Sequence, residues 1–202
     1  MSIYIDFELA DLHFALQGQK EINHEDVFLY EEEREQLQLI GHPRRKLEFI
    51  GIRHLRNCMG LNTPIKYALS GKPFMEQSDQ FISIAHCPEF YSLAKSTFEI
   101  GIDIELLQRD TSHLVDKFST DEELKLNPKM SLKEWALELW CAKEAVYKLA
   151  NIPGLSFKND IRINRRAIVN GQIRLFGSIG KVNQDFEIRV AKTDQLLLAV
   201  AF

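Results

Sequence analysis

Residues 90–106, FYSLAKSTFEIGIDIEL, and residues 131–150, SLKEWALELWCAKEAVYKLA, decide how this chain is read. In the first, Ile100, Ile102 and Ile104 alternate with Gly101, Asp103 and Glu105. That is the period-2 pattern of a strand, isoleucines on one face and both acids on the other. The stretch predicts a hairpin whose second arm runs from Phe98 to Leu106. The second stretch predicts the longest helix of the chain, ended by Asn151, Pro153 and Gly154. Trp140, Glu144 and Lys148 fall at i, i+4 and i+8 and share one helix face. Two carboxylates about 7 Å apart on one strand face suit a hard cation with oxygen ligands. Spacing alone favours the plainer reading, solvated acids on an amphipathic strand, and an exposed Glu144–Lys148 pair worth about 0.3–0.5 kcal/mol. The helix is nevertheless apolar almost all round, so burying Glu144 is costly without a cation or a donor.

Outward from these segments the pattern is helices followed by short strands, twice over. Residues 3–16 carry Ile3, Ile5 and Phe7 at period 2, as a half-buried strand does. A helix is expected over Tyr30–Ile40, broken by the turn Gly41-His42-Pro43, and another over Arg45–Met59, stopped at Gly60. Ser70-Gly71-Lys72-Pro73 reads as a turn and Phe81–His86 as a strand ended by Pro88. Short helices are expected at 112–118 and 120–126, and strands at 159–164, 171–178, 184–190 and 195–202. This is an α+β chain of two similar lobes, a pseudo-duplicated unit of helices on a small, mainly antiparallel sheet. The join falls near residues 87–98, giving an N-terminal lobe over 1–95 and a C-terminal lobe over 96–202. The expected active site lies in the cleft between them.

Composition excludes several classes. Of 202 residues, 45% are hydrophobic and 27% charged, ordinary for a globular protein. A net charge of −4 provides no general field for nucleic acid. Short basic runs, Arg44-Arg45-Lys46 and Arg162 to Arg166, can meet one local anion. Cys58, Cys87 and Cys141 are too scattered for a zinc knuckle or a disulfide framework. Their odd number, with no signal peptide, leads to the expectation of a reducing cytoplasm. No apolar run approaches the ~18 residues of a membrane-spanning helix.

Taken together, the two opening stretches resemble the 4'-phosphopantetheinyl transferase family of the Sfp type. Its pattern, (V/I)-G-(I/V)-D-(I/V)-E followed by (W/F)-(S/T/C)-x-K-E-(A/S)-x-x-K, is met at Gly101, Asp103 and Glu105, then at Trp140, Lys143, Glu144 and Lys148. Glu31 through Arg53 resembles the family's N-terminal helical region, and Ser70-Gly71-Lys72-Pro73 its G-K-P turn. Phe118-Ser119-Thr120-Asp121-Glu122 is similar to its F-S-x-x-E element, and Gly154-Leu155-Ser156 to its G-L-S. One element departs. Where the family has F-N-x-S-H, this chain has Ile82-Ser83-Ile84-Ala85-His86, keeping the histidine and losing the serine hydroxyl.

The resemblance implies an enzyme that moves the 4'-phosphopantetheine arm of coenzyme A, its co-substrate, onto a serine of an acyl, peptidyl or polyketide carrier protein. Carriers of this class are small and acidic, so a chain of net charge −4 must dock through a local patch. The resemblance further implies Mg2+ held by Asp103, Glu105 and Glu144. Glu144 also serves as base, with Glu122 in reserve, and Lys148 reaches the pyrophosphate. His86, Arg34, Arg45 and Arg53 are candidates for the 3'-phosphate, Lys72 and Pro73 line the adenine, and Lys143 either orients substrate or packs. A monomer without nucleic-acid or membrane partners is expected.

Overall fold

Strand order divides the chain. The computed structural model describes residues 3–7, 9–127 and 129–202, and forms two units, Met1–Phe98 and Glu99–Phe202. Glu8, within the 3–16 stretch, lies outside the described residues. Both units are α+β with antiparallel sheets.

In the first unit, β1 (Ile3–Ile5), β2 (His13–Gly18), β5 (Phe81–Cys87) and β6 (Phe90–Ser96) form a sheet in the order β1-β2-β6-β5. A small ladder joins β3 (Ile65–Tyr67) to β4 (Pro73–Met75). Helix α1 (Glu31–Leu39) precedes α2 (Pro43–Cys58), which packs on β2 and β6. Pro43, expected in the turn, opens α2 instead, because a first-turn position needs no N–H donor. Ile52 and Leu55 of α2 meet Ala15, Ile82, Tyr91 and Leu93 in the core. Gly51 makes that approach possible: a Cβ there would lie 2.2 Å from the Tyr91 ring.

A buried ion network ties these helices together. Glu33 of α1 accepts from Arg53 Nε at 3.2 Å, Arg56 Nη1 at 2.5 Å and the Ile65 amide at 3.2 Å. Arg53 also lies 3.6 Å over the Phe49 ring. All three charges are fully buried, which is tolerable only because each is paired.

The expected 90–106 hairpin does not form. β6 pairs with β5 across a two-residue link, Cys87 opposite Phe90, and with β2 on its other side. The residues after it, Ser96-Thr97-Phe98-Glu99-Ile100, hold no glycine or asparagine to fold the chain back. The chain instead passes into the second unit, where β7 (Gly101–Leu106) pairs with β11 (Leu196–Ala201).

The sheet of the second unit runs β7-β11-β10-β9-β8, completed by β8 (Ile161–Val169), β9 (Gln172–Ile179) and β10 (Gln184–Lys192). β8 runs past its expected end because Asn170-Gly171, at φ 52° and 82°, forms the tight turn into β9. A 3-10 turn at Ser112–Leu114 leads into α3 (Val115–Phe118), then α4 (Asp121–Lys125) and α5 (Leu132–Ala150). Helix α5 opens on a capping box. Ser131 Oγ accepts from the Glu134 amide at 3.3 Å, and Glu134 Oε2 from the Ser131 amide at 3.0 Å. It ends at Asn151 in the left-handed region. Trp135, Leu139, Ala142, Ala145, Val146 and Leu149 bury α5 in the core against the sheet.

Candidate active site

Helix α5 lies across β7 at backbone distance, and Gly101 is the reason. A Cβ at Gly101 would fall 2.0 Å from the Ala145 carbonyl oxygen and 2.4 Å from the Leu149 amide. The close approach sets Asp103 and Glu105, on Gly101's side of the strand, beneath the helix face that carries Trp140, Glu144 and Lys148. Lys148 Nζ donates to Asp103 Oδ1 and to the Ile102 carbonyl, both at 2.9 Å. Trp140 Nε1 donates to Glu105 Oε1 at 2.9 Å, and Arg109 Nη1 bonds the same oxygen.

Asp103 and Glu105 are 6% and 5% exposed. Two buried carboxylates with Glu144 in their field disfavour charge. Burial first, then the charge of Asp103, pushes Glu144 up to about 7, with Lys148 pulling against them. Glu105 is raised chiefly by burial, offset in part by its bond from Arg109. Asp103 Oδ2 is buried without a hydrogen-bond partner, and the Cys141 thiol is a weak neighbour of the same carboxylate. A buried carboxylate oxygen without a donor costs free energy unless a cation meets it. Among the described residues, no three His, Cys, Asp or Glu side chains are drawn close enough to hold a metal as they stand. The donor set is nonetheless all hard oxygen, crowded with negative charge and holding one unpartnered acceptor, which fits Mg2+ in kind. Lys148 pairs with Asp103 and Arg109 with Glu105.

Of the two roles expected for Lys143, its surroundings fit packing. Its ammonium is fully buried, on Glu123 Oε1 at 2.7 Å and on the carbonyls of Phe118, Phe157 and Ile161 at 2.8, 2.8 and 2.9 Å. No donor remains for coenzyme A. Burial lowers its pKa to about 8, against the pull of Glu123. Glu122 is exposed in the first turn of α4, its carboxyl held low by its own backbone amide first and by Thr120. The charges that act on it are those of Lys125 and Arg162.

In the N-terminal unit, Arg53 also sits in packing rather than in the phosphate-binding role expected for it. Locked on Glu33, the Ile65 carbonyl and Phe49, it is unable to face an outside phosphate. Arg34 is exposed and pairs with Glu31 at 3.1 Å, and Arg45 is exposed on α2. His86 Nδ1 lies 3.7 Å from Glu48 Oε1, which also accepts from Arg44 Nε at 3.0 Å. The Tyr91 hydroxyl, whose pKa rises to about 12 through burial first and the charge of Glu48, is buried without a hydrogen-bond partner. Arg44, which spacing did not single out from its basic run, thus shares Glu48 with His86. Lys72 ends the β3–β4 turn and Pro73 opens β4, the turn closed by the Ala68 amide on the Lys72 carbonyl at 3.0 Å. Arg109 was also missed: it follows β7 in a turn, where no periodicity points to its partner.

Among the described residues, no helix is long and apolar enough to cross a membrane. Compared with curated proteins, the chain finds no match. The family model of the 4'-phosphopantetheinyl transferase superfamily matches residues 99–201, just over half of the chain and all of the strand and helix that carry the acids. The chain belongs to the 4'-phosphopantetheinyl transferase superfamily.

Proposed function

We propose that the chain transfers the 4'-phosphopantetheine arm of coenzyme A to a serine hydroxyl of an acidic apo carrier protein, releasing 3',5'-ADP, with Mg2+ held by Asp103, Glu105 and Glu144. The observation that supports this most is the buried, unpartnered Oδ2 of Asp103 on the face that Glu105 and Lys148 share. A hard dication bound there would stabilise charge on the pyrophosphate as the phosphorus–oxygen bond to 3',5'-ADP breaks.

The chain's own residues do the remaining work. Glu144, with its pKa raised to about 7, takes the serine proton directly or through water as the serine oxygen bonds to phosphorus. Glu122 is the poorer base because its carboxyl is held low. Lys148 spends two of its three N–H donors on Asp103 and the Ile102 carbonyl, and the third meets a pyrophosphate oxygen. His86, together with Arg44, takes the 3'-phosphate, helped by the exposed Arg45 and Arg34. The turn at Lys72 and Pro73 lines the adenine.

Assignment to the Sfp type rests on the two stretches around Asp103 and Glu144 and is supported further by the N-terminal segments Glu31 to Arg53 and Ser70 to Pro73, outside the matched region. An origin by duplication is supported by one long helix laid on an antiparallel sheet in each unit. A cytoplasmic monomer completes the reading. The test is incubation with coenzyme A, Mg2+ and a panel of apo carriers. The expected result is a carrier mass gain equal to the arm, with release of 3',5'-ADP that stops in excess EDTA. No mass gain on any carrier overturns the reading, and undiminished turnover in EDTA removes the metal from it.

A further inference from the structure

The four buried carboxylates among the described residues of the C-terminal unit are each paired with a cation, and they differ in how exposed that cation is. Asp103 is paired with Lys148, 29% exposed. Glu123 is paired with Lys143, whose side chain is 0% exposed, and Glu138 at its shortest contact with Arg166, 9% exposed. Glu105 is paired with Arg109, 44% exposed. A cation buried with its partner is part of the fold, since removing either leaves an uncompensated charge. A cation that already stands half in water keeps its own solvation when it leaves, so the cost of parting is the charge left on buried Glu105, which an incoming dication would meet.

Arg109 has a defined place to wait and a chemistry suited to leaving. Its backbone is fixed in the turn after β7, where its amide donates to the Leu106 carbonyl at 2.9 Å. Its guanidinium lies 5.3 Å over the Trp140 ring and bonds Glu105 Oε1, the same oxygen that takes the Trp140 indole N–H. The other oxygen of Glu105 takes neither of these donors. The charges of Asp103 and Glu144 act on Arg109 as well, so it is the counter-ion of the whole acid group. A guanidinium is a planar fork that matches phosphate oxygens in pairs, as a lysine ammonium does not.

We infer that Arg109 is an exchangeable counter-ion, holding Glu105 while no dication is bound and released to the coenzyme A pyrophosphate when one is. The inference rests on the proposed transferase reading. It requires opposite effects of one substitution: without Arg109 the acids bind a dication more tightly, because no bond need be displaced, while coenzyme A binds more weakly.

Both halves are measurable without turnover. Tb3+, a hard oxygen-seeking ion, is titrated with emission excited through Trp140, whose indole contacts Glu105. Trp140→Phe, which leaves Trp135, serves as the blank. Coenzyme A binding in Mg2+ is read by calorimetry. Arg109→Met is expected to lower the Tb3+ half-saturation, and to raise the coenzyme A dissociation constant, by at least about threefold each. Arg109→Lys should lie between wild type and Arg109→Met on both. An unchanged Tb3+ midpoint in Arg109→Met overturns the inference, as does tighter Tb3+ with unchanged coenzyme A affinity. Absence of any Tb3+ signal in both proteins overturns it too. Opposed shifts in a protein that modifies no carrier would uphold Arg109's role and count against the transferase reading alone.

Discussion

At the scale of single residues, the acid group separates stability from chemistry. Glu144 binds its proton more tightly in the folded chain, with its pKa raised from 4.5 to about 7, than in the unfolded one. The sign follows: the cation-free protein should lose stability as pH rises from about 4.5 through about 7. Glu144→Gln should flatten that slope and stabilise the cation-free fold at pH 8, while transfer falls by ~10²-fold or more. Urea melts across pH beside the carrier mass assay check both halves. A Glu144→Gln protein with an unaltered pH slope would show that another group carries it. Lys143 predicts the reverse pairing. Lys143→Ala strands Glu123 and three carbonyls without their donor, so unfolding free energy should drop by about 3–5 kcal/mol. Denaturation with and without coenzyme A will tell a lost fold from a lost ligand contact: a variant of normal stability and weakened coenzyme A binding would return Lys143 to the substrate.

At the scale of elements, the site depends on the β7–α5 contact. Gly101→Ala places a methyl group 2.0 Å from a helix carbonyl, and backbone on both sides leaves nothing flexible to yield. The helix must lift, at a cost of about 1–3 kcal/mol or more, and Lys148 loses its register on Asp103. The expected outcome is a lower melting temperature together with lost transfer. Gly180→Ala, whose nearest neighbour would be the Asp160 carbonyl at 3.8 Å, should change neither and serves as control. Equal melts for the two variants would mean that the helix does not need this approach.

At the scale of the whole molecule, the proposed labour is divided by unit, with anion contacts at His86 and metal acids at Asp103. His86→Ala should weaken coenzyme A at least about threefold, leave dephospho-coenzyme A nearly unaffected and leave the Tb3+ midpoint unmoved. Asp103→Asn should abolish the Tb3+ signal with little effect on the 3'-phosphate preference. If His86→Ala loses both coenzymes equally, the histidine serves something other than the 3'-phosphate.

The sequence by itself determined the elements and the two segments that meet. Alternation around Asp103 and i, i+4 spacing around Glu144 are local geometry, so strand β7, helix α5 and the faces bearing the acids were legible from 17 and 20 residues of chain. Only the tertiary structure decided the pairing of β7 with the last strand, because hydrogen-bond partners a hundred residues away leave no periodic mark. The same holds for the cations. Arg34, Arg45, Arg53, Lys143 and Arg109 are alike as letters, each a charge whose helix or turn position states nothing of its surroundings. Burial on Glu33 and Glu123 makes Arg53 and Lys143 part of the fold, and half-exposure over Trp140 leaves Arg109 able to move. The difference is desolvation, which depends on what packs around a side chain once the chain has folded.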